Sequence, residues 1–191
     1  MSELNFYYAV MAAGKSTQLL QLNFSLKNKG FSPLLLKSSL DTRDEGVIKS
    51  RIGLEEKCNL IQTNDIISEF SNELLYASHI LVDEAQFLNR DQIDSLCKIV
   101  DFQNKPVYCF GLRTDFRGQL FEGSSHLFAL ADNLVEVPMV SKDGRKTVLH
   151  LKLKNGKPVF DGNSVEVGGD ELYESVSRKE WFTYKIKDKK R

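Results

Sequence analysis

Four short apolar runs mark the first part of the chain, and helix-like patterns separate them. Residues 4–10, 33–37, 79–83 and 106–110 lack the apolar–polar alternation of a strand with one solvated face. Uninterrupted apolar runs of this length, bounded by turn residues, predict strands that are buried on both faces.

Three helices are predicted between these strands. The first follows Ser16 and stops at Gly30, since glycine favours the left-handed backbone at a helix C-terminus. Asn64 and Asp65 are candidate caps of the second helix, and Asn89 of the third. In the second helix the residues at helical spacing are Ile66, Ile67, Phe70, Leu74 and Leu75. Buried strands separated by helices predict an α/β fold, with a parallel sheet covered by helices on both faces.

The pattern changes after about residue 135. Two turn signals, Asp143-Gly144 and Asn155-Gly156, flank the alternating segment 147–153. Alternation between such turns is typical of β-hairpins. We therefore predict a core over residues 1–135 and a small β-rich appendage over 136–191.

Composition narrows the class of protein. The chain has 191 residues, with 26 Lys plus Arg against 26 Asp plus Glu. No net charge draws it to nucleic acid or to a membrane, and no run reaches the roughly 18 apolar residues that span a bilayer. The N-terminus lacks the pattern of a signal peptide, and Cys58, Cys97 and Cys109 are far apart. We expect a cytoplasmic protein.

The segment after the first predicted strand has the pattern of a phosphate-binding loop. Gly14-Lys15-Ser16 matches the end of G-x-x-x-x-G-K-[ST], with Ala9 at the first glycine position. Backbone N–H groups at a helix N-terminus hold phosphate, the lysine reaches the β/γ-phosphates, and the hydroxyl holds Mg²⁺. The predicted loop is Ala9, Val10, Met11, Ala12, Ala13, Gly14, Lys15 and Ser16.

The third predicted strand ends in two carboxylates. Asp83 is placed to hold Mg²⁺ together with Ser16, and Glu84 is placed to take a proton as a general base. Asp-Glu-Ala-Gln is also a helicase sequence, but that class needs a longer chain and a basic track for the strand. A helicase-like ATPase is therefore a poor alternative.

Six blocks in order resemble the type II (cellular-type) thymidine kinases, in the version of the bacterial branch. They are residues 7–17 (YYAVMAAGKST), 41–43 (DTR), 50–53 (SRIG), 82–87 (VDEAQF), 111–118 (GLRTDFRG) and 165–173 (VEVGGDELY). The resemblance covers almost the whole chain. It implies a P-loop (RecA-like) parallel sheet flanked by helices, with residues 136–191 as a degenerate zinc-ribbon, or lasso, domain closing over the nucleoside.

The resemblance also implies a reaction and a set of site residues. ATP would phosphorylate the 5′-hydroxyl of thymidine in deoxynucleoside salvage for DNA synthesis, with Glu84 activating the hydroxyl. The phosphate loop binds ATP, and the residues implied near the nucleotide are Asp41, Asp83, Glu84, Ala85 and Gln86. The residues implied at the nucleoside are Met11, Phe87, Phe116, Ser164, Val165, Glu166, Val167, Gly168 and Tyr173. The family is usually homotetrameric and is inhibited by thymidine triphosphate.

A structural zinc is common in the appendage of this family, held by three or four Cys/His ligands. At the corresponding places this chain reads Ser-Lys-Asp-Gly from Ser141 and Ser-Arg-Lys-Glu from Ser177. No cysteine follows Cys109, and His126 and His150 do not match the ligand positions. Serine is a poor zinc ligand, so zinc binding is not expected. Asp143 or Glu180 is expected to pair with Arg145 or Arg178 in its place.

Several alternatives stay open on the residues alone. Gly168-Gly169 suits a plain hairpin turn as well as a close approach to a ligand, and Phe116 suits the core as well as a contact. Arg43, Arg113 and Arg117 suit phosphate binding or solvent. The alternatives for function are a P-loop kinase for another deoxynucleoside such as deoxyuridine, and a catalytically silent nucleotide-binding regulator.

Overall fold

The structure is a computed structural model that describes residues 2–42, 44, 46–162 and 172–188. The strands are β1 (Leu4–Ala9), β2 (Pro33–Ser38), β3 (Val47–Lys49), β4 (Glu55–Lys57), β5 (Asn59–Ile61), β6 (His79–Asp83), β7 (Val107–Leu112), β8 (Asn133–Glu136), β9 (Thr147–Lys154), β10 (Lys157–Val159) and β11 (Tyr173–Ser177). The helices are α1 (Lys15–Asn28), α2 (Ile66–Glu69), α3 (Ser71–Tyr76), α4 (Arg90–Gln103), α5 (Glu122–Leu130) and α6 (Arg178–Asp188), with a 3-10 turn over Ala85–Phe87.

Six parallel strands form the central sheet, in the order β5-β2-β6-β7-β1-β8. Helix α1 covers one face, where its leucines pack on Leu35, Leu81 and Phe110. Helices α2 to α5 cover the other face, where Leu36 and Val82 are buried. Successive strand residues therefore face two separate apolar layers, which is why these strands show no alternation. The predicted α/β fold class is confirmed.

The four predicted strands correspond to β1, β2, β6 and β7, but the edge strands β5 and β8 were missed. These edges have three and four residues, and Leu134 in β8 is 48% exposed. Because these strands are short and partly exposed to solvent, they contain no apolar run that could be recognised in the sequence.

The predicted second helix is two short helices. Asp65 caps α2, and Phe70 leaves helical geometry before α3 begins at Ser71. The new start keeps Leu74 in the core and turns Leu75 outward, where it is 73% exposed. The other two helix ends are as predicted. Gly30 has a φ of 83° and closes a Schellman turn after α1, and Asn89 forms a capping box before α4.

A three-stranded antiparallel sheet, β10-β9-β11, follows the central sheet. Asn155 and Gly156 join β9 to β10 and both have positive φ, as a type I′ turn requires. The turn at Asp143-Gly144 closes only a single bridge, between Val140 and Lys146. We call β9, β10, β11 and α6 the C-terminal layer. The boundary between a core and an appendage at residue 136 stays a prediction.

The carboxyl ends of β1, β2, β6 and β7 meet at one edge of the central sheet, because these strands are parallel. The C-terminal layer lies against that edge, since side chains of β9 and β11 bond to the loop after β1. Within the described ranges, no helix has the length and apolar character needed to cross a membrane.

Candidate active site

The segment between β1 and α1 forms a tight loop at the carboxyl edge of the sheet. Gly14 has a φ of 87° and Ala12 a φ of 65°, so two residues use the left-handed backbone. Lys15 is buried, and its ammonium donates to the Val10 carbonyl over 3.1 Å. The first N–H groups of a helix lack acceptors within it, so the start of α1 offers donors to an anion.

Asp83 ends β6 directly beside this loop. The Ser16 hydroxyl donates to its Oδ2 over 3.1 Å. Its Oδ1 is buried, with no hydrogen-bond partner among the described residues. Burial raises the pKa of Asp83, the Glu84 carboxylate raises it further, and Lys15 opposes the rise. Asp83 is thus a buried carboxylate next to a second carboxylate, and one of its oxygens has no hydrogen-bond partner in the described part of the chain and lies beside the Ser16 hydroxyl. Such a group is suited to binding a hard divalent cation such as Mg²⁺.

Glu84 and Gln86 act as one unit at the end of β6. Glu84 has a φ of 51°, which is uncommon for a residue with a side chain. The Gln86 amide donates to Glu84 Oε2 over 2.5 Å, and Gln86 Oε1 accepts from the Leu112 N–H over 2.9 Å. A Cβ on Gly123 would lie 2.4 Å from the Ala85 carbonyl, so α5 packs closely against this turn. The orientation of the Glu84 carboxyl is thus fixed from β7 and α5.

One cavity of about 620 Å³ opens at this edge. Its lining includes residues of the phosphate loop, Asp83 and Glu84, and also the aromatic residues Phe87, Phe121 and Tyr173. A volume of this size accommodates a small-molecule ligand. Charged groups for phosphate and aromatic walls for a base therefore lie in one continuous space.

Phe116 is both core and cavity wall. Its side chain is 2% exposed, yet it lines the cavity, and its ring centre lies 6.4 Å from that of Tyr173. The Lys152 ammonium lies 5.0 Å from the Phe116 ring centre. The Trp181 indole N–H donates to the Phe116 carbonyl over 3.0 Å. Neighbours from β9, β11 and α6 therefore hold this aromatic wall.

The arginines of the GLRTDFRG block are not among the residues that line the cavity. Arg117 pairs with Asp115 through Nε and Nη2, both at 2.7 Å, and Asp115 also accepts the backbone N–H groups of Arg117 and Gln119. Arg113 is exposed. Arg43 lies outside the described residues.

Lys37 is a cavity residue that the sequence reasoning missed. Its ammonium lies 2.9 Å from Asp41 Oδ2, and both side chains are 4% exposed. Lys37 also donates to the carbonyls of Asp44 and Val47. The pair fixes Asp41 in the lining of the cavity, to which Lys37 also belongs. A lysine at the end of the apolar run 33–37 was the available signal.

His150 is a second cavity residue that was missed as a site residue. Its Nε2 accepts the Met11 N–H over 2.7 Å, which joins β9 to the phosphate loop. Burial lowers the pKa of His150 to about 3, and the Lys15 charge adds to the fall. The imidazole is therefore neutral. In the sequence it is one position of an alternating strand, and no local signal marks it.

The structure brings most of the predicted site residues together. Those lining the cavity are Met11, Ala12, Gly14, Lys15, Ser16, Asp41, Asp83, Glu84, Gln86, Phe87, Phe116 and Tyr173. Ala9, Val10 and Ala85 are buried and do not line the cavity, and Ala13 is partly buried in the loop. Ser164, Val165, Glu166, Val167 and Gly168 lie outside the described residues, as does Gly169.

The place that corresponds to the family's zinc holds hydroxyls and carboxylates bonded to one another. Ser177 Oγ lies 2.8 Å from Glu180 Oε2 and 3.3 Å from Asp143 Oδ2, and Ser141 Oγ also bonds to Asp143. Arg145 lies 3.6 Å from Asp143, as one of the expected pairs. Glu180 instead accepts from Ser177. We call Ser141, Asp143, Ser177 and Glu180 the serine–carboxylate cluster. It offers no thiolate or imidazole and does not fit tetrahedral zinc.

Comparison with known proteins gives one answer. The thymidine kinase family model matches residues 2–181. A thymidine kinase of Zymomonas mobilis is 45% identical over 95% of this chain and 97% of its own length. Those of Enterobacteria phage T4 and Photorhabdus laumondii are 45% and 42% identical, each over 95% of this chain and over 96% and 93% of their own lengths.

A phosphate loop and an acidic strand end at one edge of a parallel sheet define a P-loop nucleotide-binding protein. The comparisons narrow this class of protein to one family. The chain belongs to the thymidine kinase family. The predicted family and enzyme class are confirmed, and the individual roles of the site residues stay predictions.

Proposed function

We propose that this chain transfers the γ-phosphate of ATP to the 5′-hydroxyl of thymidine, giving thymidine monophosphate in deoxynucleoside salvage. One observation carries the assignment to these residues. Lys15, Ser16, Asp83 and Glu84 line the same cavity as Phe116. Both substrates therefore have matching chemistry within one space, and holding two reactants in register is a large part of catalysis.

The phosphate loop binds the triphosphate of ATP. The first residues of α1, Lys15 among them, line the cavity, and their N–H groups and the Lys15 ammonium balance the negative charge on the β- and γ-phosphates. Ser16 and Asp83 would hold Mg²⁺, as the unpaired Asp83 Oδ1 supports. When bound, that ion supplies positive charge to the phosphates.

Glu84 takes the proton from the attacking hydroxyl. It lies one residue beyond Asp83, and the Gln86 amide orients its carboxyl toward a single arrangement. A carboxylate fixed beside the phosphate end of the cavity is placed as the general base that such a transfer needs.

The aromatic end of the cavity takes the nucleoside. Phe87, Phe116 and Tyr173 present apolar surface to a planar base.

We also propose that the segment from Ser164 to Gly168 binds the thymine, that the protein is a cytoplasmic homotetramer, and that thymidine triphosphate inhibits it. The resemblance of the sequence blocks to the family supports these proposals.

A coupled assay of purified protein with ATP, Mg²⁺ and thymidine tests the assignment, with deoxyuridine and the purine deoxynucleosides in parallel. We expect thymidine monophosphate to form with the highest kcat/KM. A higher kcat/KM for deoxyuridine favours the first alternative. ATP binding without transfer to any nucleoside favours the silent regulator.

A further inference from the structure

Both backbone groups of Met11 are bonded by side chains of the C-terminal layer. The Met11 N–H donates to His150 Nε2 over 2.7 Å, and the Met11 carbonyl accepts from the Ser175 hydroxyl over 2.9 Å. His150 in β9 and Ser175 in β11 are direct cross-strand partners. One cross-strand pair of the three-stranded sheet thus bonds to both backbone groups of one residue of the phosphate loop.

The tautomer of His150 follows from these bonds. Because Nε2 accepts the Met11 N–H, the ring proton lies on Nδ1, and the ring also bonds to the Thr114 backbone. Thr114 lies two residues before Phe116. A single neutral ring therefore joins the phosphate loop, the segment that carries the aromatic wall and the second sheet.

The other partner of Met11 leads back to the nucleoside end of the cavity. Ser175 and Tyr173 are two residues apart in β11 and so face the same side of that strand. Tyr173 lines the cavity beside Phe116. The strand face that forms the nucleoside wall is thus the one that fixes Met11.

We propose that His150, with Ser175, is a positioning residue for phosphate transfer, which holds the phosphate loop at Met11 in register with the nucleoside wall. It touches neither reacting atom. Its contribution is the acceptor at Nε2, since without that acceptor the Met11 N–H no longer ties the loop to β9, and small shifts of reacting groups cost large factors in rate. This inference rests on the proposed function.

A bond-level test comes first. The chain has three methionines and three histidines, so labelling both with ¹⁵N gives few signals. We expect a scalar coupling through the hydrogen bond between the Met11 amide nitrogen and His150 Nε2, with no such coupling for Met139. Its absence from wild-type protein would overturn the inference.

Two variants of similar size separate the acceptor from the rest of the ring. Gln in His150→Gln reaches the position of Nε2 and can accept the Met11 N–H, whereas Asn in His150→Asn reaches only the position of Nδ1. We expect His150→Asn to lower kcat roughly 10- to 100-fold, with the Kd for ATP within about threefold of wild type. His150→Gln should recover most of the lost kcat.

A matched control distinguishes the proposed positioning role of His150 from a purely structural role. Val176 is buried on the opposite side of β11 from Ser175, away from the cavity, so Val176→Ala destabilises the same sheet without touching Met11. It should lower Tm and leave kcat per folded molecule unchanged. Equal losses of kcat in the Asn and Gln variants, or a kcat for His150→Asn as unaffected as that of Val176→Ala, would overturn the inference. A wild-type protein that shows the coupling but forms no product contradicts the proposed function instead.

Discussion

The indole of Trp181 in α6 donates a hydrogen bond to the backbone carbonyl of Phe116, 65 residues earlier in the chain. Trp181 is 4% exposed and forms the centre of the C-terminal layer with Leu151 and Val176. Since Phe116 lines the cavity, α6 bears directly on the shape of the aromatic wall that we propose binds the nucleoside.

Trp181→Phe should therefore weaken thymidine binding. It keeps most of the buried ring but leaves the Phe116 carbonyl without its donor, at a cost of about 1–3 kcal/mol of stability. We expect a lower Tm and a several-fold higher KM for thymidine, with a smaller change in the KM for ATP. Tyr184→Phe in the same helix, at an exposed position, is the control and should change neither. Equal rises in both KM values would contradict a local effect on Phe116.

Glu84→Gln should abolish most transfer while ATP still binds. A general base contributes typically 10²- to 10⁴-fold, so we expect kcat to fall by about 10²-fold or more. Titration calorimetry with ATP checks that the phosphate loop is intact. Glu73→Gln, on the exposed surface of α3, is the matched control and should retain wild-type turnover. Turnover near wild type in Glu84→Gln would refute the role of Glu84 as base.

His150 should make the folded state sensitive to mild acid. Its folded pKa of about 3 is below the ordinary value of 6.5, so the unfolded chain binds the proton more readily. The contribution of His150 is present above pH 6.5 and is lost as the pH falls from 6.5 toward 3. Between pH 7 and pH 5 the loss is about 2 kcal/mol, at 1.36 kcal/mol per pKa unit. Urea unfolding of wild type and His150→Gln at both pH values measures it. A difference between the two proteins that does not change with pH would count against a neutral buried imidazole.

Zinc should play no part in the stability of the protein. The serine hydroxyls of the serine–carboxylate cluster already bond to its carboxylates, and the cluster presents no soft ligand. We expect metal analysis of protein purified without added zinc to find no stoichiometric metal. A zinc-selective chelator should leave activity in excess Mg²⁺ unchanged. One zinc per chain would overturn this prediction.

The sequence predicted what is local and uninterrupted. Strand β6 and its acidic end could be predicted because Ile80, Leu81 and Val82 pack into the two apolar layers in turn, and Asp83 and Glu84 follow them directly. The phosphate loop was predicted because its spacing reflects a fixed backbone geometry, including the left-handed Gly14.

What the sequence could not give is long-range pairing. The bond from Met11 to His150 joins positions 139 residues apart, and nothing near either residue signals it. The edge strands β5 and β8 were missed because they are short and partly exposed. The break at Phe70 was missed because Ile66 to Leu74 has a continuous apolar period across two helices.

The serine–carboxylate cluster also affects the sensitivity of the protein to oxidants. A contact held by cysteine thiolates reacts with peroxide and with thiol-directed electrophiles, and modification of the sulfur weakens it. Hydroxyls and carboxylates offer such reagents nothing to attack. Of the free thiols, Cys109 is fully buried, with its pKa raised by that burial, and Cys58 and Cys97 lie in the central sheet region, away from the cluster. The contact between the turn after β8 and the start of α6 should therefore survive oxidative conditions in which a cysteine-held joint comes apart.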